Sequence, residues 1–131
     1  MGRRESREKM MTLAYQMECK GRFDQEEMSK FIEDVKPKQE AGYCNRLLKA
    51  LCENIEEIDK QISENSNRWK IGRIPKVDLS ILRVAVCEIN YMDDVPNEAA
   101  INEAVELAKV YCDENSPGYI NGILGSVVKG I

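Results

Sequence analysis

The sequence predicts an all-α fold built from two packed three-helix sub-bundles. Apolar residues recur every three or four positions along most of the chain, and no stretch shows the alternation typical of a β-strand. A polar stretch rich in turn residues, 66–75, separates an amino-terminal half, 1–65, from a carboxy-terminal half, 76–131. Because the chain has 131 residues, 43% of them hydrophobic, we expect the two halves to form one domain.

Three helices are predicted in the amino-terminal half. The first occupies residues 5–19, where the apolar positions share one face, and Gly21 provides a stop signal. The second begins at a capping box formed by Asp24 and Glu27 and ends near Pro37. The third is the longest and continues from Pro37 as a single helix. Its apolar stripe consists of Tyr43, Leu47, Leu51, Ile55, Ile58 and Ile62.

Three further helices are predicted in the carboxy-terminal half. Residues 77–91 are apolar around the whole helical circumference, so we expect a buried central helix there. After a turn at residues 93–96, Ile101 and Ala104 begin the apolar face of the next helix. The last helix is predicted to start at Ser116 as cap residue with Pro117 in the first helical position.

The composition excludes several classes of enzyme. The sequence contains no histidine, so a Ser-His or Cys-His nucleophile pair and a histidine-based zinc site are ruled out. The five cysteines form no CxxC pair and are expected to be reduced core residues, with no disulfide. No glycine-rich fingerprint is present, and the chain leaves no room for a cofactor-binding domain. We therefore expect no catalysis, no cofactor and no bound metal.

Neither a membrane span nor a secretion signal is predicted. The chain has no run of eighteen apolar residues, and charged residues stand where a signal peptide would need an apolar segment. A cytoplasmic location without membrane association is the expectation.

The distribution of charge is uneven although the formal net charge is only −4. Residues 1–22 carry six Lys/Arg against three acids, and residues 66–83 carry five against Asp78 alone. Such segregation can form a basic face on an acidic body, and a basic face can bind nucleic acid phosphates. Two solvated helix surfaces are the alternative that charge alone leaves open.

Four segments of the second half carry a family resemblance. ILRVAVCEI at 81–89, DVP at 94–96, INEAVELAK at 101–109 and YINGIL at 119–124 occur in the order and spacing of the NusB family of bacterial transcription antitermination factors. The opening segment RRESREKMMTLAYQME at 3–18 resembles the arginine-rich first helix of that family. The resemblance covers nearly the whole chain and implies two three-helix bundles, in agreement with the helical pattern.

The resemblance implies RNA binding. NusB proteins bind the single-stranded boxA element of ribosomal RNA transcripts together with NusE, the small-subunit ribosomal protein, and the complex helps RNA polymerase pass terminators. Both monomers and homodimers occur among NusB relatives, so a homodimer is an alternative state. The residues that match the RNA-contacting positions of the family are Arg3, Arg4, Arg7, Asn115 and Tyr119. Those that match NusE-facing positions are Tyr15 and Asp78.

Physical chemistry supports these roles and also offers alternatives. Guanidinium groups contact phosphates bidentately, and tyrosine provides a face on which a base can stack. The three arginines could instead be solvated, with Glu5 and Glu8 as counter-charges. Tyr119 could be a partly buried core residue with a solvated hydroxyl. Asp78 could stabilise the start of its helix, which is compatible with partner contact.

The second basic segment would extend the RNA-binding surface if the linker folds beside the first helix; its cations are Arg68, Lys70, Arg73 and Lys76.

The function class has two alternatives. A NusB-like domain also occurs fused to RNA methyltransferases, although this chain lacks a cofactor fingerprint. A helical adaptor that binds a NusE-like partner but has little affinity for RNA is the remaining alternative.

Overall fold

A computed structural model describes residues 1–130, and within that range the chain is helical and contains no β-strand. Ile131, the last residue of the predicted carboxy-terminal half, lies outside the described residues. No helix within residues 1–130 is long and apolar enough to cross a membrane. The described part of the chain has seven α-helices: α1 (Arg3–Lys20), α2 (Gln25–Ser29), α3 (Lys38–Glu53), α4 (Ile55–Asn65), α5 (Lys76–Tyr91), α6 (Asn97–Tyr111) and α7 (Ser116–Lys129).

Helix α5 is the centre of the fold, as its apolar circumference predicts. Every residue from Asp78 to Glu88 is buried, and α1, α3, α4, α6 and α7 all pack against this helix. Burying one Leu, Ile or Val side chain contributes about 1.5–3 kcal/mol, so α5 stabilises both halves of the chain at once. Three charged residues, Asp78, Arg83 and Glu88, are buried in the same helix. Arg83 and Glu88 are paired with charged residues of other helices, Arg83 with Asp59 and Glu18 and Glu88 with Arg7.

The prediction of one long third helix is wrong, because the structure divides it into α3 and α4 at Asn54. The backbone of Asn54 leaves the helical region at φ −123° and ψ 21°, and its Nδ2 donates to the carbonyl of Ala50 at 2.9 Å. An asparagine side chain competes with the backbone for hydrogen bonds and is well suited to a helix end. The apolar stripe continues across the break because Ile58 and Ile62 are buried in the same core as Leu51.

Two other helix boundaries differ from prediction. The Asp24 cap is confirmed, since its Oδ1 accepts from the Glu27 amide at 3.2 Å, but α2 ends at Ser29 and is followed by turns. In these turns Phe31 is 41% exposed, whereas Ile32 is buried. At α7 the cap position belongs to Asn115, and Ser116 is the first helical residue rather than the cap.

The linker is folded against the carboxy-terminal half. The hydroxyl of Ser66 donates to the carbonyl of Trp69 at 2.6 Å, a 3₁₀ turn covers Ile71–Arg73, and Ile74 is buried. The ring of Trp69 packs against Tyr119 of α7. This packing fixes the basic linker beside the start of α7.

Candidate nucleic-acid interface

The three candidate arginines lie on the first two turns of α1 and face three different helices. Arg3 donates from Nε and Nη2 to the two carboxylate oxygens of Glu40 on α3, at 2.9 and 3.3 Å. Its guanidinium also lies 4.1 Å from the ring centre of Tyr43, within the range of a cation–π contact. The hydrogen bonds from Arg3 are the first cause of a lowered pKa at Glu40. Arg3 is thus held at the surface by an acid and an aromatic ring.

Arg4 makes the most solvent-exposed of these contacts. Its Nε and Nη2 donate to Oε1 and Oε2 of Glu103 on α6, at 3.0 and 2.7 Å. The Arg4 side chain is 62% exposed and that of Glu103 is 20% exposed. These hydrogen bonds and the attraction of the guanidinium lower the pKa of Glu103. The pair consequently lies open to solvent with both groups ionised at neutral pH.

Arg7, by contrast, is a buried residue. It donates from Nε and Nη2 to Glu88 on α5 at 2.8–3.1 Å, and the side chains of the pair are 8% and 1% exposed. Burial is the largest influence on the pKa of Arg7 and lowers it, but the hydrogen bonds to Glu88 and the attraction of the nearby carboxylates together exceed it, so the pKa is raised. This ion pair ties α1 to the central helix.

The counter-charges of the arginines are therefore not the neighbouring acids that the sequence suggested. Glu5 instead accepts a hydrogen bond from the Gly2 amide at the start of α1. Glu8 accepts from the Tyr111 hydroxyl of α6. The carboxylates that hold the arginines lie 37, 99 and 81 positions away in sequence. No local pattern could have identified them.

Tyr119 lies in an aromatic cluster at the start of α7. Its hydroxyl is 2.9 Å from the hydroxyl of Ser66, and its ring meets that of Trp69 edge to face at 4.9 Å. The guanidinium of Arg68 lies 4.6 Å from the Trp69 ring centre. Partial burial raises the pKa of Tyr119, so the hydroxyl remains protonated at neutral pH. Trp69 is the aromatic residue of this cluster that was not among the predicted site residues.

A shallow cleft of about 330 Å³ runs beside the Tyr119 ring. Gly118 and Gly122 lie one turn apart along it, and a Cβ added at either would meet no atom within 4 Å. Asn67 and Arg68 of the linker line the opposite side. The cleft thus combines an aromatic ring, an amide and a guanidinium, which are the groups that bind unpaired bases.

Helix α6 connects the two groups of candidate residues. Arg4 contacts α6 at Glu103, and Asn115, an exposed residue, follows the last residue of that helix, Tyr111, by four positions. The eight helical steps from Glu103 to Tyr111 span about 12 Å along the helix axis. Arg4 therefore contacts the middle of α6, whereas Asn115 and the aromatic cluster follow its carboxy-terminal end.

Of the two candidate partner-binding residues, Tyr15 is at the surface and Asp78 is not. Tyr15 is 39% exposed and lines a mainly apolar cleft of about 240 Å³ together with Met11, Val77 and Tyr111. Asp78 is only 3% exposed, and its Oδ2 has no hydrogen-bond partner among residues 1–130. Burial and the Asp78 carboxylate together raise the pKa of the Cys112 thiol to about 12.

The thiols and acids do not form a metal site among residues 1–130, where no group of three potential ligands converges. All five cysteines are free in the structure. Burial raises the pKa of Cys87 to about 12 and that of Cys52 to about 11, which keeps these thiols protonated. Cys44, Cys52, Cys87 and Cys112 pack in or against the core, but the expectation that all five cysteines are core residues is wrong for Cys19, which is exposed.

Comparison of the sequence with known proteins gives consistent matches. The profile described as the NusB family matches residues 4–129. The transcription antitermination protein NusB of Clostridium novyi (strain NT) is 40% identical over 136 residues, covering 98% of this chain and 99% of its own length. The protein of the same name from Acetivibrio thermocellus is 47% identical over 130 residues, covering 98% and 90%.

Solved structures show the same likeness. NusB of T. maritima superposes with a TM-score of 0.89 at 31% identity, covering 98% of this chain and 92% of its own. A chain from the crystal structure of antitermination factors NusB and NusE in complex with dsRNA superposes with a TM-score of 0.85 at 25% identity, covering 98% and 97%. The predicted all-α fold class is confirmed by both the helices and these superpositions.

Proposed function

The chain belongs to the NusB family, and from this premise we propose that it is an RNA-binding transcription antitermination factor. It binds single-stranded RNA of the boxA type in ribosomal RNA transcripts, together with NusE, within the antitermination complex of RNA polymerase. The observation that carries the proposal is full-length similarity to proteins named for antitermination, one of them solved with NusE and RNA. Proteins with that role act where transcription takes place, in the cytoplasm.

We assign the phosphate contacts to the amino-terminal end of α1. Arg3 and Arg4 each hold a carboxylate at the Nε/Nη2 edge, so a phosphate oxygen can bind the N–H groups of Nη1 or take the place of that carboxylate. The exposure of Arg4 makes it the principal contact. Arg7 adds positive charge beneath the surface and anchors α1 through Glu88.

We assign base recognition to Asn115 and Tyr119. The Tyr119 ring is supported from the side by Trp69 and borders an open cleft, so a base can stack there without displacing a core residue. The amide of Asn115 supplies both a donor and an acceptor for a base edge. Of the second basic segment, Arg68 extends this surface because it lies on Trp69 at the cleft.

We assign NusE binding to the apolar cleft at Tyr15. An exposed tyrosine beside an apolar cleft is a typical anchor point of a protein interface. Tyr111 is 46% exposed and Val110 is 71% exposed, so the apolar surface continues from this cleft along α6. Asp78 is buried beneath this surface and supports it by stabilising the first turn of α5. A direct contact with NusE would require a rearrangement that exposes its unpaired Oδ2.

We propose a binding protein that works without catalysis, cofactor or resident metal. Recognition by arginine, asparagine and tyrosine needs none of these groups. A homodimer that covers the same surface is the alternative state of the free protein. We also propose a division into two halves at residues 66–75. Helix α5 joins the halves into one domain, since it packs against α1 and α3 as well as against α6 and α7.

Titration of a fluorescent boxA-type RNA tests the proposal, with and without NusE and at two salt concentrations. We expect salt-sensitive binding that tightens when NusE is present. Arg4→Ala should weaken RNA binding, whereas Lys60→Ala, which makes the same charge change at an exposed position of α4, should have a smaller effect. Binding of NusE without measurable RNA affinity would instead support the adaptor hypothesis.

A further inference from the structure

Glu103 contacts two of the three arginines of α1. Its carboxylate accepts both hydrogen bonds from Arg4, at 3.0 and 2.7 Å, and its Oε1 lies 3.7 Å from Nη1 of Arg7. Glu103 comes from the middle of α6, so this contact joins α6 to the start of α1. The same carboxylate thus neutralises part of the positive charge on which RNA binding depends.

The edge of Arg4 that Glu103 occupies is the one best suited to a phosphate. The Nε and Nη2 atoms form a fixed fork that matches two oxygens of either a carboxylate or a phosphate. With Glu103 in place, the pair has no net charge and the fork is filled. A phosphate that takes the same position must displace the carboxylate, and a phosphate that binds beside it is repelled.

The other two acids of this region differ from Glu103 in ways that make them structural. Glu88 is 1% exposed, so releasing it from Arg7 would leave a buried unpaired charge. Glu40 is 10% exposed and also accepts from the Ser6 hydroxyl at 2.8 Å, which ties it to α1 independently of Arg3. Among the residues of these three ion pairs, only Arg4, the partner of Glu103, has a side chain that is more than half exposed. Exposed ion pairs contribute little to stability, so this one can open at small cost.

We propose that Glu103 acts as an internal competitor of RNA phosphate, holding Arg4 until a phosphate displaces its carboxylate. The wild-type affinity for RNA is therefore set below what the three arginines could provide. Glu103 also limits binding of RNA that supplies a phosphate near Arg4 but no base at Tyr119, because such RNA has to open the ion pair without a compensating contact. This inference rests on the RNA-binding function proposed above.

The test is to titrate the boxA-type RNA against wild type and Glu103→Gln, which keeps the size of the side chain but removes its charge. We expect the variant to bind about two- to fivefold more tightly, the factor associated with one exposed ion pair. The slope of log affinity against log salt should steepen by about 0.7, the value for one phosphate contact of a single strand. The change in slope distinguishes competition for charge from a general effect on folding, which thermal unfolding of both proteins checks directly.

Two further variants provide controls. Glu106→Gln makes the same charge change one turn along α6, but Glu106 pairs with Lys109 at 3.1 Å and should alter RNA affinity less. In an Arg4→Ala background, Glu103→Gln should lose most of its effect, because the guanidinium it competes for is gone. Equal effects of Glu103→Gln and Glu106→Gln would overturn the inference.

The remaining outcomes separate this inference from the proposed function. If wild type binds RNA and Glu103→Gln binds equally or more weakly, Glu103 orients Arg4 rather than competing for it, and the inference is wrong while RNA binding stands. If neither protein binds RNA, the proposed function and the inference fall together. Weak binding by wild type with tight binding by Glu103→Gln would support the inference.

Discussion

Replacing Arg7 by alanine should destabilise the fold far more than replacing Arg4, although both arginines lie on the same two turns of α1. The Arg7–Glu88 pair is linked by three N–O contacts of 2.8–3.1 Å, and the side chain of Glu88 is 1% exposed. Arg7→Ala leaves that carboxylate buried and unpaired, which costs about 3–5 kcal/mol. With an unfolding entropy of about 2.1 cal/mol/K per residue, the loss corresponds to a fall of roughly 11–18 °C in Tm for this chain.

Urea and thermal unfolding followed by circular dichroism measure this difference. Arg4→Ala is the matched control, since the Arg4 side chain is 62% exposed, and it should leave the unfolding midpoint almost unchanged. The double substitution Arg7→Met with Glu88→Leu should recover most of the stability because no unpaired charge remains. A loss below about 1 kcal/mol in Arg7→Ala would refute the argument that this pair is buried and structural. Arg7 would then have to be regarded as a surface residue that contacts RNA, like Arg4.

Three further predictions concern binding, acid stability and thiol reactivity. Tyr119→Ala should weaken binding of boxA-type RNA by about 5- to 150-fold in a fluorescence titration, the equivalent of about 1–3 kcal/mol for one stacked base, whereas Tyr119→Phe should retain most of the affinity. Arg3 and Arg4 lower the pKa values of Glu40 and Glu103, so these carboxylates bind protons more readily in the unfolded chain than in the folded one. The stability that the two ion pairs provide above about pH 4.5 is therefore lost as the pH falls through the lowered pKa values. Urea midpoints at pH 7, 5, 4 and 3 should show this loss, and a Glu40→Gln variant that loses as much stability as wild type would contradict it. A thiol reagent at pH 8 should label the exposed Cys19 first and leave the buried Cys44 and Cys87 unlabelled until unfolding, so Cys19→Ser should abolish the fast phase.

The sequence was sufficient for those parts of the fold that depend on local periodicity. Helix α5 could be predicted as the buried centre because its apolar residues surround the whole circumference, and the cap of α2 because Asp24 and Glu27 have the right spacing. The break at Asn54 could not be predicted, because α3 and α4 pack apolar residues into the same core and the helical spacing of these residues continues across the break. A periodic pattern records which side faces the core, not whether the backbone is continuous.

The site could be predicted in its residue types but not in its contacts. Family resemblance supplied Arg3, Arg4, Arg7 and Tyr119, yet the acids that hold the arginines come from α3, α5 and α6. Such pairs depend on how helices pack, which no spacing within one helix reveals. Burial of Asp78 was hidden for a similar reason, since it follows from the packing around α5 rather than from the polar character of the residue.

NMR mapping of the RNA-binding surface shows directly whether RNA binds at the start of α1 and the start of α7. Backbone amide and arginine Nε signals would be followed while boxA-type RNA is added to the isotope-labelled protein at low salt. We expect the largest shifts at residues 3–7 and 115–119 and small shifts at the acidic surface of α4. Shifts confined to other parts of the molecule, or no shifts at any RNA concentration, would contradict the account.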